Sequence, residues 1–590
     1  MTAKVPIMLV LLPAVIQSQQ LRSLKNVAVP EPPGLSTYVR DPGALIVLGK
    51  AFFWDMQVSS DGRVACATCH FHAGADHRPQ NQIADPNNPF PANLPLNRVT
   101  FPLRRLADPS NRNSEVLGDT QMRIGSAGLF RRMFKDVRPE AAAEMGDEAL
   151  DRPEFMIGGL QVRRVTNRNV PTVINAVFNI RNFWDGRASR FFNGFTPSGN
   201  AADAPGILVL RDGVLVREQV RLDRASLASQ AVTPVLDHLE MSYEGRTWPK
   251  AGKKLLSLQP LALQRVAPDD SVLRAAARIG GRGLREGITY LGLVQAAFLP
   301  SYWESAQLMD ESGNPLPGRS GIPGGASEFT QAEHNFPFFW GVAIRAYEAT
   351  LVSDDSPFDR FMEGDTGALS SLEQEGLAFF RSNNGGRCTR CHGGAEFTAA
   401  SFTAAGNGGG GGNANRAFQR TGVRTVAEDA GAGNGAFKTS GLRNVEFTGP
   451  YFHNGGQATL EQVVEFYARG GDFGNNNNLR RFNPTEARKS ALVAFLKALT
   501  DDRVRFERAP FDHPELCVPA GHPEASSGGL IPGGSPLFPR AAADRWVGIP
   551  AVGQAGNTLP LQTFEELLSG LGNDGSRAHR MSEACAIALN

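Results

Sequence analysis

The stretch "VACATCHFHAGADHR" (Val64–Arg78) sets two cysteines three positions apart with a histidine directly after the second: Cys66, Cys69 and His70. Far downstream, "GRCTRCHGG" (Gly386–Gly394) repeats the arrangement as Cys388, Cys391 and His392. The segments leading into the two motifs also match. "GKAFF" (Gly49–Phe53) precedes the first and "GLAFF" (Gly376–Phe380) the second, each inside a helical pattern that runs into a loop. Glycine inside a helix costs about 1 kcal/mol against alanine. Gly49 and Gly376 are therefore expected to allow close approach of another helix. The chain reads as an internal duplication.

C-x-x-C pairs occur in zinc sites, in thioredoxin-like redox motifs and in covalent haem attachment. The redox motif expects a βαβ context, whereas these motifs follow helices. The zinc reading does not explain a histidine right after the second cysteine, twice. Covalent haem does: two thiols add to the porphyrin vinyl groups and the adjacent histidine becomes the proximal iron ligand. We therefore read Cys66, Cys69 and His70 as the first haem site and Cys388, Cys391 and His392 as the second.

The chain has 590 residues, 60 basic against 59 acidic, and a net charge of +1. Nothing in that balance points to nucleic acid or to a basic membrane patch. Glycine (64) and proline (39) are plentiful, which favours short elements joined by loops. "MTAKVPIMLVLLPAVIQSQQ" (1–20) has the thin positive start and short apolar run of an export signal. No other run approaches membrane length, so no stable membrane span is expected. Covalent haem attachment outside the cytoplasm agrees with export to the periplasm or beyond. Cys517 and Cys585 are left over, and in an exported chain they are expected to form a disulfide.

The first unit is expected over 30–350 and the second over 360–510, with a loop-rich extension over 511–590. An insertion at about 195–330 carries a hairpin, "GILVLRDGVLV", turning at Asp212–Gly213, followed by a loop, "NPLPGRSGIPGG". In the second unit Ser371 is expected to cap "SLEQEGLAFF", and Thr459 to cap "LEQVVEFYARG". Asn483 with Pro484 is expected to start the helix bearing Leu492, Phe495, Leu496 and Leu499.

With these motifs in hand, the chain resembles the bacterial dihaem cytochrome c peroxidases and their MauG-type relatives. "RNVPTVINAVFNIRNFWDGRA" (168–188), "LVSDDSPFDRFMEGD" (351–365) and "GLRNVEFTGPYFHNGGQATLEQVVEFYARGG" (441–471) carry the likeness. The insertion and the extension exceed the compact members. The resemblance implies a mainly α fold of two cytochrome c-like haem domains, with a small β element in the insertion and a loop-rich C-terminal tail. Trp184 matches the tryptophan between the two haems; alone it reads as a core residue. Glu240, followed by Met241, resembles the glutamate on the open face of the first haem, where a carboxylate moves a proton between the peroxide oxygens. Asn169, Thr448 and Pro450 match a calcium site between the domains. Tyr467 falls where peroxidases carry methionine and MauG-type enzymes tyrosine as sixth ligand of the second haem, with His453 as competitor. His72 and His77, just past the first motif, read as solvated loop histidines, with the distal or propionate surroundings of the first haem as the alternative; His334, His513, His522 and His579 have no supporting context, while His238 stands close to Glu240 in sequence.

The family reading implies reduction of hydrogen peroxide to water with electrons from a small cytochrome or cupredoxin, with a homodimer as one assembly. A MauG-like or rubber-oxygenase-like oxidase of a protein or organic substrate is the alternative. A non-enzymatic electron carrier is the third reading, and it would need a strong sixth ligand on both irons.

Overall fold

The computed structural model describes residues 20–85, 95–157, 159–383, 385–405, 414–474, 477–523, 541–578 and 585. Residues 1–19 of the expected export signal (1–20) and His579 lie outside the described residues. Among the described residues no helix is long and apolar enough to cross a membrane.

Helix α1 (Pro42–Trp54) starts where Asp41 accepts from the amides of Gly43 and Ala44 and Pro42 takes the first turn. Its end leads into α2 (Cys66–His70), the first haem motif. Three short helices follow in the insertion: α3 (Ser226–Ala231), α4 (Trp248–Leu255) and α5 (Tyr290–Ala297). Helix α6 (Phe336–Glu348) is buried along its whole length and packs on α1. The second unit has α7 (Ser371–Arg381), α8 (Leu460–Ala468) and α9 (Glu486–Lys497), with α7 and α9 packed together.

The two helix pairs are built on one contact. A Cβ on Gly49 would lie 2.0 Å from the carbonyl oxygen of Ala343 and 2.8 Å from Cβ of Tyr347. A Cβ on Gly376 would lie 2.0 Å from the carbonyl oxygen of Ala491 and 2.7 Å from Cβ of Phe495. Only glycine lets the backbones close to that distance. In both cases the partner helix offers residues four apart, one turn of a single face. Phe52, Phe336 and Trp340 fill the core around the first pair; Phe358, Phe380, Phe397 and Phe495 fill that around the second.

Two expected caps move. Ser370, not Ser371, caps α7, where its hydroxyl accepts from the Glu373 amide and Glu373 reaches back to the Ser370 amide. Thr485, not Asn483, caps α9, because its hydroxyl accepts from the Arg488 amide and Pro484 stays outside the helix. Thr459 caps α8 as expected, and Gly470 and Gly471 end it with positive φ.

Every sheet among the described residues is a two-stranded pair. The hairpin of β-strands Ile207–Arg211 and Val214–Glu218 turns at Asp212 and Gly213, both at positive φ, as a two-residue hairpin turn requires. Strand pairs are not confined to the insertion. They also form at 104–119, 132–148, 418–438 and 516–549. Part of the expected loop, Pro315–Ser320, pairs with Gln307–Met309. These pairs are short and weakly alternating, which is why periodicity passes over them.

The insertion is part of the first core. Tyr290 stacks on Phe52 at 4.7 Å and its hydroxyl donates to Asp55 at 2.6 Å. The C-terminal extension closes the same side. Lys50 of α1 makes buried ion pairs with Asp270 of the insertion (2.8 Å) and Asp512 of the extension (3.4 Å). Burying a cation demands such partners. Cys517 and Cys585 form a disulfide.

Candidate functional site

The first motif is wound into one tight turn. The Thr68 hydroxyl accepts from the Ala65 amide, and the Ser59 hydroxyl accepts from the Val64 amide. The turn brings Cys66, Cys69 and His70 to one place with both thiols free. The His70 ring shares a 2.8 Å hydrogen bond between Nδ1 and the Gly74 carbonyl oxygen. A carbonyl acceptor fixes the proton on Nδ1 and leaves the Nε2 lone pair for a metal. Burial holds the His70 pKa below its usual value, so the ring is neutral. Gly74 has positive φ, and a Cβ there would meet Thr172 Oγ1 at 2.6 Å.

Glu240 lies close enough for its charge to act on this site. Burial pushes its pKa up to about 8, with Asp237 adding to the shift. Its charge in turn raises the pKa of both Cys66 and Cys69, behind the larger effect of burial. The loop holding Glu240 is set down on Gly128, where a Cβ would lie 2.1 Å from the Leu239 carbonyl oxygen. His238, its neighbour in sequence, is exposed.

The second motif begins at Arg387, in the left-handed conformation, and turns through Cys388–Arg390. Nδ1 of His392 lies 3.1 Å from the Ser440 carbonyl oxygen and 3.2 Å from that of Phe397. Burial lowers its pKa too. The two histidines are thus prepared alike: neutral, with Nδ1 on backbone carbonyl and Nε2 available. Cys388, Cys391 and His392 open on a cavity of about 280 Å³ that Trp184, His453 and Tyr467 also line. Free paired thiols beside a neutral imidazole and a largely apolar cavity fit a covalently held haem at the second site. The paired thiols and Nε2 of the first motif fit one there.

Both candidates for the sixth position reach that cavity. Burial raises the Tyr467 pKa, and the Cys391 and Cys388 charges add to it. His453 sits on the Trp184 side, stacked on Phe437 at 3.6 Å and edge-on to Trp184 at 6.2 Å. Burial pushes its pKa down to about 3, and among the described residues its Nε2 has no hydrogen-bond partner.

Trp184 donates from Nε1 to the Asn169 carbonyl oxygen at 2.7 Å. Asn169, Thr448 and Pro450 all line the same cavity. The Asn169 side-chain amide donates to the Pro450 carbonyl, and the Thr448 hydroxyl to the Val445 carbonyl at 3.3 Å. Among the described residues no group of three or more His, Cys, Asp or Glu forms a metal cluster.

Three features escape sequence reasoning. Residues 168–175 form a shared wall: Thr172 donates to the Ala73 carbonyl next to His70, while Ile174 lines both the large cavity and the small one behind His70. Glu348, at the end of α6, is a fully buried carboxyl whose charge acts on Cys66. Burial pushes its pKa up to about 8. The extension supplies His513, which stacks on Trp54 at 4.7 Å. Of the other histidines, His72 and His77 are not solvated as expected but fully buried beside the first motif, where they stack on each other at 3.6 Å. His334 and His522 are buried in contacts with Arg217 and Arg163.

Residues 43–264 match the family model described as di-haem cytochrome c peroxidase. Over this stretch the chain is similar to the di-haem cytochrome c peroxidases. Cytochrome c551 peroxidase of Nitrosomonas europaea is 39% identical over 165 residues, which is 28% of this chain and 45% of that protein. Methylamine utilization protein MauG of Methylorubrum extorquens is 33% identical over 159 residues, 27% of this chain and 42% of that protein. The chain thus spans about half the length of these curated relatives. Among solved structures, the dihaem peroxidase BthA from Burkholderia thailandensis aligns over 80% of this chain and 92% of its own, at 18% identity and a TM-score of 0.39. A MauG-like protein associated with microbial copper homeostasis aligns over 86% and 98%, at 17% identity and a TM-score of 0.39.

Proposed function

We propose that this protein is a periplasmic dihaem peroxidase that reduces hydrogen peroxide to water. The observation that carries the reading is Glu240, a carboxyl whose charge acts on both Cys66 and Cys69 and whose pKa is lifted by burial to about 8. Haem supplies the redox-active iron to which peroxide binds.

The chain's own residues do the rest. His70 would hold the iron through Nε2, its Nδ1 being engaged by the Gly74 carbonyl oxygen. Glu240 takes the proton from the near peroxide oxygen and delivers it to the far one, so that water leaves. Two electrons and two further protons complete the conversion to a second water. Trp184 and residues 168–175 give the electrons a packed route from the second site. That site is loaded by a small redox protein, a c-type cytochrome or a cupredoxin. His392 and Tyr467 hold the second iron, and neutral His453 stands beside Trp184. A calcium ion would sit at Asn169, Thr448 and Pro450, taking Asn169 Oδ1 once its amide has rotated.

Tyr467 supports a second reading, a MauG-like oxidase of a protein or organic substrate. Tyrosine at that position favours a more oxidised second site than methionine does.

The test is Glu240→Gln in the haem-loaded protein. Peroxide turnover with reduced cytochrome c should fall by about 10²-fold with the resting haem spectrum unchanged. Because the carboxylate is the acceptor, the wild-type rate should rise with pH along a limb centred at about 8, and the variant should lack that limb. An unchanged rate and profile would remove Glu240 from the reaction.

A further inference from the structure

Behind His70 lies a small cavity lined by Phe53, Trp54, Tyr347 and Glu507. The rings form a packed series. Phe53 is 6.2 Å from His70, 5.9 Å from Trp54 and 5.4 Å from Tyr347, centroid to centroid. Trp54 donates from Nε1 to the Tyr347 hydroxyl at 2.9 Å and stacks on His513 at 4.7 Å with the planes 9° apart. His513 Nε2 lies 3.1 Å from a Glu507 carboxylate oxygen. Trp54, Tyr347 and His513 are all almost fully buried.

Packing alone does not require this set, as the duplicated unit demonstrates. Trp54 lies five residues after Gly49, and the residue five after Gly376 is Arg381. Tyr347 meets Gly49 where Phe495 meets Gly376. The second unit closes the same helix contact with no oxidisable side chain at either position. The first unit has an indole and a phenol there, joined by a hydrogen bond behind the proximal histidine.

We infer that Trp54, paired with Tyr347, is a one-electron donor to the first site, distinct from Trp184 and acting when the second site has no electrons to give. The inference rests on the peroxide reactivity of the first site. Trp54 gives one electron to the peroxide-oxidised haem, which is reduced by that electron. The Nε1–H bond stays intact, held in its hydrogen bond to the Tyr347 oxygen, so the indole becomes a cation radical. The Glu507 carboxylate, across the His513 ring, offsets the positive charge. Tyr347 positions the indole.

The experiment uses the full-length, haem-loaded protein mixed with hydrogen peroxide without an electron donor, freeze-quenched and examined by EPR. The wild type should form an organic radical that Trp54→Phe loses and Trp184→Phe retains. Tyr347→Phe should keep the radical but change its hyperfine pattern, because the indole N–H loses its acceptor. Repeated peroxide additions to the wild type should leave oxidised Trp54 in the peptide containing it, a readout that needs no variant. A full radical yield in Trp54→Phe, or peroxide consumption by the wild type with neither radical nor oxidised Trp54, would overturn the inference alone. A wild type that consumes no peroxide would overturn the peroxidase reading with it.

Discussion

The two halves of this molecule share a scaffold and differ in what covers it. In each, a helix glycine lies against the backbone of a partner helix, and a C-x-x-C-H turn follows with its histidine Nδ1 bonded to backbone carbonyl. Around the first turn the insertion and the C-terminal extension have added walls, down to the buried Lys50, Asp270 and Asp512 cluster. Near the first turn, burial raises the pKa values of two carboxyl groups, Glu240 and Glu348. The second turn keeps a cavity lined by Trp184, His453 and Tyr467, with a phenol and an imidazole as candidate ligands.

Removing the cysteines of either unit should break the comparison most strongly. Cys66→Ser with Cys69→Ser, or Cys388→Ser with Cys391→Ser, should leave one haem per chain by pyridine haemochrome assay. Peroxide turnover should be lost in both, for want of a reactive site in the first case and of electrons in the second. A next step tests the shared scaffold. Gly49→Ala and Gly376→Ala each force a Cβ into a carbonyl oxygen 2.0 Å away, which should cost about 3 kcal/mol in denaturant unfolding. Equal losses would establish the two contacts as equivalents.

Smaller effects separate the ligands. Tyr467→Phe should change the spectrum of the second haem and leave the first alone, whereas His453→Gln should leave both spectra in place. The reverse pattern would make His453 the ligand. The smallest effect is Glu348→Gln. The folded chain holds the Glu348 proton up to about pH 8, whereas the unfolded chain releases it near 4.5. Its contribution to stability is full below about 4.5 and is lost as pH rises through about 8. The variant cannot ionise, so its melting temperature should gain on the wild type across that window and level off above it.

Much of this was legible in the sequence because it is local. C-x-x-C-H fixes three groups in five residues, and the glycines of "GKAFF" and "GLAFF" announce the helix contact that the backbones then make. The Asp212–Gly213 hairpin and the Thr459 cap are likewise short-range. The remaining features are long-range. Nothing local singles out Glu348, and only the burial of the whole of α6, packed on α1 and α3, makes it a buried acid. His513 reads as a tail histidine until the extension folds back onto Trp54. The caps at Ser370 and Thr485 fall one or two residues from the expected positions because several adjacent residues can each accept a first-turn amide.

The account depends on both C-x-x-C-H turns holding haem through thioether bonds. Peptide mass spectrometry of the full-length protein, matured in a host that attaches c-type haem, tests this directly. The peptides containing Cys66–His70 and Cys388–His392 should each carry one haem that acidified acetone does not remove. Haem released by that extraction, or either peptide recovered with free thiols from fully loaded protein, would contradict it.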